Sequence, residues 1–231
     1  MATPLGPIRY TLERKQVKNV NLRVRKDGSV YASASRLWSA ARIDEFVKSK
    51  ADFIRKAVVR VQQQPELPCT AGDGDVFYLL GKPFSICVTK GTPEKAETAG
   101  EKLLLQVKAP ENEKNVQRVL GRYRDAMCRR VFEDSLNRLF PLFAGAGRQR
   151  PQLRYRDMKS RWGSCQPVKG VITMNKQLLA MPMACIDYVM LHELCHLIHP
   201  NHSQAFYALL GTLMPEWKER KKQLNEGAYR R

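Results

Sequence analysis

Leu191-His192-Glu193-Leu194-Cys195-His196-Leu197-Ile198-His199-Pro200-Asn201-His202 is the stretch that decides how this chain is read. On a helix, residues four apart share a face, about 6 Å from one another along the axis. His192 and His196 can therefore turn two imidazoles toward one ion, with Glu193 next to the first. All 4 histidines of the 231 residues fall inside this stretch, so composition does not explain the pattern. A catalytic zinc takes three protein ligands and keeps one open position. On a continuing helix His199 would stay on the same face but about 10 Å further along the axis than His192, too far to share a metal bound at about 2 Å. Pro200 disfavours helical dihedrals at His199 and ends the helix there. Asn201 tolerates the left-handed conformation of a tight turn. The chain can then return, which makes His202 the expected third ligand and His199 a residue of the rim. Two histidines satisfied by carbonyls on a buried helix are the competing explanation. It leaves the intervening Glu and the third His without a role. Ile186, Val189 and Met190 supply the apolar face that buries the helix beneath the site.

The chemistry expected of this constellation is hydrolysis. Zinc lowers the pKa of its bound water to about 7. Glu193 adjoins a ligand and can take a proton from that water as general base, then return it to the leaving group. Zn2+ is the cofactor this reading requires.

Working back from the motif, residues 170–175 and 153–157 read as strands around Lys159-Ser160-Arg161-Trp162-Gly163-Ser164-Cys165, and Pro182 precedes the motif helix, read over 183–198. A final helix is expected over 203–214, then a short basic tail. Apolar residues from Val116 to Phe140 recur at helical spacing, so 113–143 reads as one long helix with an arginine-rich outer face, ended by Gly145, Gly147 and Pro151. Residues 76–90 read as strands around a Gly81-Lys82-Pro83 turn, and 103–108 as another strand. Near the start, two alternating runs flank Lys26-Asp27-Gly28-Ser29, the signature of a β-hairpin. Ser39 can cap a helix whose apolar spacing runs to about Gln62, closed by Pro65 and Pro68. The fold class is α+β: an N-terminal antiparallel β region with a helix over 1–110, and a catalytic region over 111–231 with the motif helix under a small sheet. The two parts can also pack as a single domain.

Charge points outward. Forty Lys+Arg against 22 Asp+Glu leave +18, a field that attracts polyanions and anionic substrates, nucleic acid among them. The same excess also serves as an ordinary solvated surface. No apolar run reaches membrane-span length and none near the N-terminus resembles a signal sequence, so a soluble, cytoplasmic protein without a membrane partner is expected. The 6 cysteines include no C-x-x-C pair, and reduced thiols are the expectation.

With those residues in view, the chain resembles the YgjP-like metallopeptidase family. The resemblance lies in His192–His196, in Asn201-His202-Ser203 with Phe206, in Lys159–Cys165, and in Met174-Asn175 with Leu178, Pro182 and Asp187-Tyr188-Val189. It extends over about residues 8–226 and is most specific in the last third. It implies a zincin-like domain related to the SprT-like proteases that act on DNA–protein crosslinks. It carries the zinc role to His192, His196 and His202 and the base role to Glu193. It further implies a strand ahead of the helix, here 170–175, that pairs with an extended peptide. Metzincins also have a third His ten residues after the first, but with Gly where this chain has His199.

Other residues carry two readings each. Trp162 and Asn175 are candidates for the cleft, with the core the favoured place for Trp162. Arg161 and Lys159 can stabilise an oxyanion or stand in solvent. Cys195 is expected to pack inward. Cys165 lacks a neighbouring base in sequence, which weakens it as a nucleophile. Glu216 is either an acceptor for a ligand histidine or an exposed acid at a helix start. Three functions compete: a metallopeptidase acting on a peptide or protein, a metal-dependent nucleotide pyrophosphatase, and a non-enzymatic nucleic-acid-binding zinc protein.

Overall fold

The chain divides into two units, 1–66 and 67–231. The computed structural model describes residues 8–25, 27–62, 72–158 and 160–226. Pro65, Pro68, Lys26, Lys159, Cys69 and the last five residues lie outside that set. Six α-helices and three small sheets are present among the described residues, a mixed α+β architecture. None of these helices is long and apolar enough to cross a membrane.

In the first unit, β1 (Thr11–Arg14), β2 (Asn21–Val24) and β3 (Val30–Ala34) form a sheet in the order β1-β3-β2. β2 and β3 are the expected antiparallel hairpin. Gly28 turns it with a positive φ of 79°, and the Asp27 carboxylate accepts from the Ser29 N–H at 2.9 Å. The expected antiparallel region also holds a parallel pair, because β1 runs parallel to β3. Residues 15–29 separate those strands, so no local alternation sets their direction. Ser39 caps α1 (Ala40–Ser49) by accepting from the Arg42 N–H at 3.3 Å. The single helix expected to Gln62 breaks at Lys50, where φ is −107° and ψ 14°, and resumes as α2 (Ala51–Gln62). Val30, Ala32 and Ala34 face Ile43, Val47 and Ile54 in this unit's own core.

The second unit opens with β4 (Val76–Leu79), β5 (Lys82–Lys90), β6 (Lys95–Ala99) and β7 (Lys102–Val107), ordered β4-β5-β7-β6. The β4–β5 turn falls on Leu80-Gly81, both at positive φ, one residue earlier than the expected Gly81-Lys82-Pro83. Leu103, Leu105 and Val107 pack against Val116 and Val119 of α3 (Glu113–Leu139). The Leu80 and Gly81 N–H groups donate to the carbonyls of Leu179 and Ala180. A boundary at residue 110 would cut both sets of contacts. The chain divides into compact units at 66/67, and this sheet shares its core with the helices that follow.

α3 ends before Pro141 and passes into a 3-10 segment, Phe140–Ala146. β8 (Gln152–Arg156), β9 (Gly163–Gln166) and β10 (Val171–Asn175) then form a sheet in the order β8-β10-β9. α4 (Met183–His196) packs against β9, β10 and α3. α5 (Gln204–Leu213) and α6 (Trp217–Glu226) close the unit. The expected basic tail is thus partly a helix. α6 has only Leu224 buried, and its polar sequence gives little periodic signal. Of α4's 14 residues, nine are buried, including Ile186, Val189, Met190 and Leu194. At about 1.5–3 kcal/mol per large apolar side chain, that burial outweighs the few kcal/mol that one enclosed carboxyl costs.

Candidate metal centre

His192 and His196 stand one turn apart on α4, which ends at His196. The N–H groups of Ile198 and His199 both donate to the Cys195 carbonyl and close the last turn. Pro200 and Asn201 reverse the chain, and Ser203 caps α5 by accepting from the Phe206 N–H at 3.3 Å. His202 is thereby held between a turn and a helix cap. The three imidazoles of His192, His196 and His202 converge, each offering one ring nitrogen, all within 4.8 Å of one another. His192 Nε2 and His202 Nε2 lie 3.0 Å apart. Two nitrogens sharing a tetrahedral zinc at about 2.05 Å would lie about 3.3 Å apart. The His192–His202 separation is close to that spacing, and the three imidazoles together could hold a metal ion.

Phe206 forms the apolar floor of this cluster. Its ring is fully buried and its centroid lies 4.9, 4.6 and 4.9 Å from those of His192, His196 and His202. His199 does not join the imidazole cluster. Its contribution is a backbone carbonyl, 3.1 Å from His196 Nδ1. An Nδ1–H donating there orients the ring and leaves the Nε2 lone pair of His196 free.

Electrostatics suit a cation. Burial, reinforced by His196, His202 and Lys221, pushes His192 down to about 3, and burial also lowers His196. Neutral imidazoles keep the lone pairs that a metal needs. Glu193 is 5% exposed. Burial raises its carboxyl to about 8, opposed by the charge of Arg161. Among the described residues no hydrogen-bond donor reaches it. Burial holds the Cys195 thiol near 12; burial and the nearby Glu193 do the same for Cys165, so neither serves as a thiolate.

The remaining candidates divide. Arg161 is exposed and close enough to act on Glu193, whereas Trp162 is half-buried and packs against the core. Asn175 is 2% exposed and does not line a cleft. Its Nδ2 donates to the carbonyls of Met158 and Arg161, both at 2.9 Å, and its Oδ1 accepts from the N–H groups of Met158 and Gln177. It ties Met158 and Arg161 to β10. Glu216 is exposed and lies 3.8 Å from Arg220, with no hydrogen bond to the three clustered histidines among the described residues. β10, expected at the cleft rim, is the central strand, paired on both edges. β9 is the edge strand beside α4. Asn175 N–H donates to the Trp162 carbonyl. In an antiparallel ladder the groups alternate, so Gly163 and Cys165 turn their N–H and C=O outward.

Sequence reasoning gave no role to Gly163 or Phe206, although both lie in quoted motifs. A Cβ built at Gly163 would fall 2.6 Å from Glu193 Oε1. Glycine in a strand interior is the signal that marks such a close approach.

No curated protein matches the chain. Two crystal structures of metallopeptidase zymogens are similar to part of it. Abylysin of Pyrococcus abyssi is 24% identical with a TM-score of 0.37, the match covering 40% of this chain and 90% of that one. Jannalysin of Methanocaldococcus jannaschii is 20% identical with a TM-score of 0.36, covering 41% and 88%. A family model described as YgjP-like, metallopeptidase domain matches residues 18–227. The chain belongs to the YgjP-like metallopeptidase domain family.

Proposed function

We propose that the chain is a zinc-dependent metallopeptidase in which His192, His196 and His202 hold the metal and Glu193 is the general base. The observation that carries this reading is the convergence of three imidazoles on one point, with an enclosed carboxyl one residue from the first. A zinc ion held there supplies Lewis acidity, acidifying water and polarising a carbonyl. Glu193 accepts the proton at its carboxylate and delivers it to the leaving nitrogen. Positive charge at the site and on Arg161 opposes the upward pull of burial on that carboxyl. β9 offers the outward N–H and C=O of Gly163 and Cys165 to an extended peptide, which would add as a further strand. α4 then lies beneath the sheet whose edge receives the substrate, the arrangement expected of a zincin. The +18 charge favours substrates associated with polyanions.

The test is metal content and hydrolysis on one preparation, wild type beside Glu193→Gln. Substrates are casein, a DNA-binding protein with and without DNA, and nucleoside triphosphates. One zinc per chain in both proteins, with peptide products from wild type alone, is the expected result. Absence of zinc, or equal rates in the two proteins, overturns the reading. Pyrophosphate without peptide products assigns the site to nucleotide hydrolysis instead.

A further inference from the structure

Gly163 begins β9 opposite Glu193, and the pair is closer than any other residue would permit. An ideal Cβ at position 163 would lie 2.6 Å from Oε1, 2.9 Å from Cγ and 3.0 Å from Cδ of Glu193. The conflict reaches Cγ, so rotating the carboxylate alone does not relieve it. Nor is glycine needed here for its backbone. Gly163 is not among the positive-φ glycines, and its extended conformation is open to any residue. The missing side chain itself is what the site requires.

The strand cannot easily retreat. The carbonyl of Trp162, just before it, accepts from the Asn175 N–H at 2.8 Å, and the Arg161 carbonyl accepts from Asn175 Nδ2. Met174 pairs with Gly163 across the ladder. Asn175 and Met174 are buried. Glu193 is enclosed, and α4 is packed on several sides. Of the two partners, the Glu193 side chain is therefore the one that must yield to added volume.

We infer that Gly163 is a positioning residue: its bare backbone sets where the Glu193 carboxylate stands relative to the three imidazoles. This rests on the reading of Glu193 as base. The side-chain direction at 163 is toward α4, perpendicular to the N–H and C=O that face a substrate strand. A methyl group there would disturb the base and spare peptide pairing, so kcat and KM should separate.

The experiment is Gly163→Ala made in wild type and in Glu193→Ala, with Ser164→Ala as a control on the opposite strand face. Metal-free thermal unfolding is the first readout. In wild type, Gly163→Ala should lower the midpoint by roughly 4 °C or more, and in Glu193→Ala by less than half as much. The second readout is turnover in the zinc-loaded enzyme. Gly163→Ala should lower kcat about 10- to 100-fold with KM within about twofold and one zinc retained, as expected when a catalytic group is displaced by about 1 Å. Ser164→Ala should leave both readouts near wild type. An equal fall in midpoint in both backgrounds overturns the inference, because it would mark an ordinary strand defect. A coupled midpoint with wild-type kcat overturns it as well. If wild type hydrolyses nothing, the metallopeptidase reading falls, and the thermal cycle still decides whether Gly163 positions Glu193.

Discussion

α4 carries two acids six residues apart and treats them in opposite ways. Asp187, near its start, is fully supplied with donors. Ser135 Oγ lies 2.6 Å from Oδ1, and Arg138 reaches both oxygens at 2.7 and 3.1 Å. Glu193, near its end, meets no donor among the described residues and is raised to about 8 by burial. A carboxylate with its hydrogen bonds satisfied fastens one helix to another. A buried one left without them costs stability, and groups perturbed in that way cluster at functional sites. On the proposed reading one helix contains a structural acid and a chemical acid, and mutation should separate them.

The largest effect expected is on rate. Glu193→Gln should lower kcat by about 10²–10⁴-fold, the usual worth of a positioned general base, with zinc retained. Its unfolding midpoint should not fall, because the exchange removes a buried carboxyl without donors and keeps the volume. Calorimetry beside steady-state kinetics checks both halves. A midpoint several degrees lower would mean that Glu193 is fastened as Asp187 is, and the contrast between the two ends of α4 would fail.

Asn175→Ala should register on both scales. It removes four side-chain hydrogen bonds in the interior and strands the carbonyls of Met158 and Arg161. About 2–3 kcal/mol of stability should go, measured by urea unfolding. Release of Met158 and Arg161 would also loosen Gly163, so kcat should drop about tenfold. A stability loss with unchanged kcat would detach this anchor from the base.

How much of this was legible follows from which forces act locally. The spacing of His192 and His196, the break at Pro200 and the Ser39 cap are local, and each stands where the sequence puts it. The long amphipathic α3 is legible for the same reason: Val116, Val119 and Leu136 face inward at helical spacing. α4 has no such stripe, because apolar neighbours surround it. Its motif reveals it where periodicity does not. What escaped reading depends on distant pairing. The parallel β1–β3 ladder, the union of the four-stranded sheet with the helical core and the choice of β9 as free edge are set by contacts far apart in the chain. Asn175 looked like a cleft residue because polar residues in motifs suggest binding. Its burial shows how a polar side chain can serve a site by holding a loop.

Asp187→Ala should be the mirror of Glu193→Gln, with a smaller amplitude. It leaves the fully buried Ser135 hydroxyl without its partner. Arg138 is 45% exposed and keeps Asp134 at 3.0 Å, so its share of the loss is screened. About 2 kcal/mol of stability should be lost. kcat and zinc content of the folded fraction should match wild type. A fall in kcat greater than about threefold would mean that the two ends of α4 are coupled.

A third acid tests the smallest effect. Glu216 stands just before α6, exposed, its only ion-pair partner among the described residues being Arg220 at 3.8 Å. Two features argue that it does not tune the metal. His196 Nδ1 is already directed at the His199 carbonyl, and the Glu216–Arg220 pair is the i,i+4 contact of an ordinary helix start. Such a pair contributes about 0.5 kcal/mol or less. Glu216→Ala should therefore change stability by no more than that and leave zinc affinity unaltered in a competition titration with a chelator. A loss of affinity of about tenfold or more is the signature of an acid that orients a ligand histidine. That outcome would place a second chemical acid outside α4, and burial without donors would no longer distinguish the acids that serve the site from those that serve the fold.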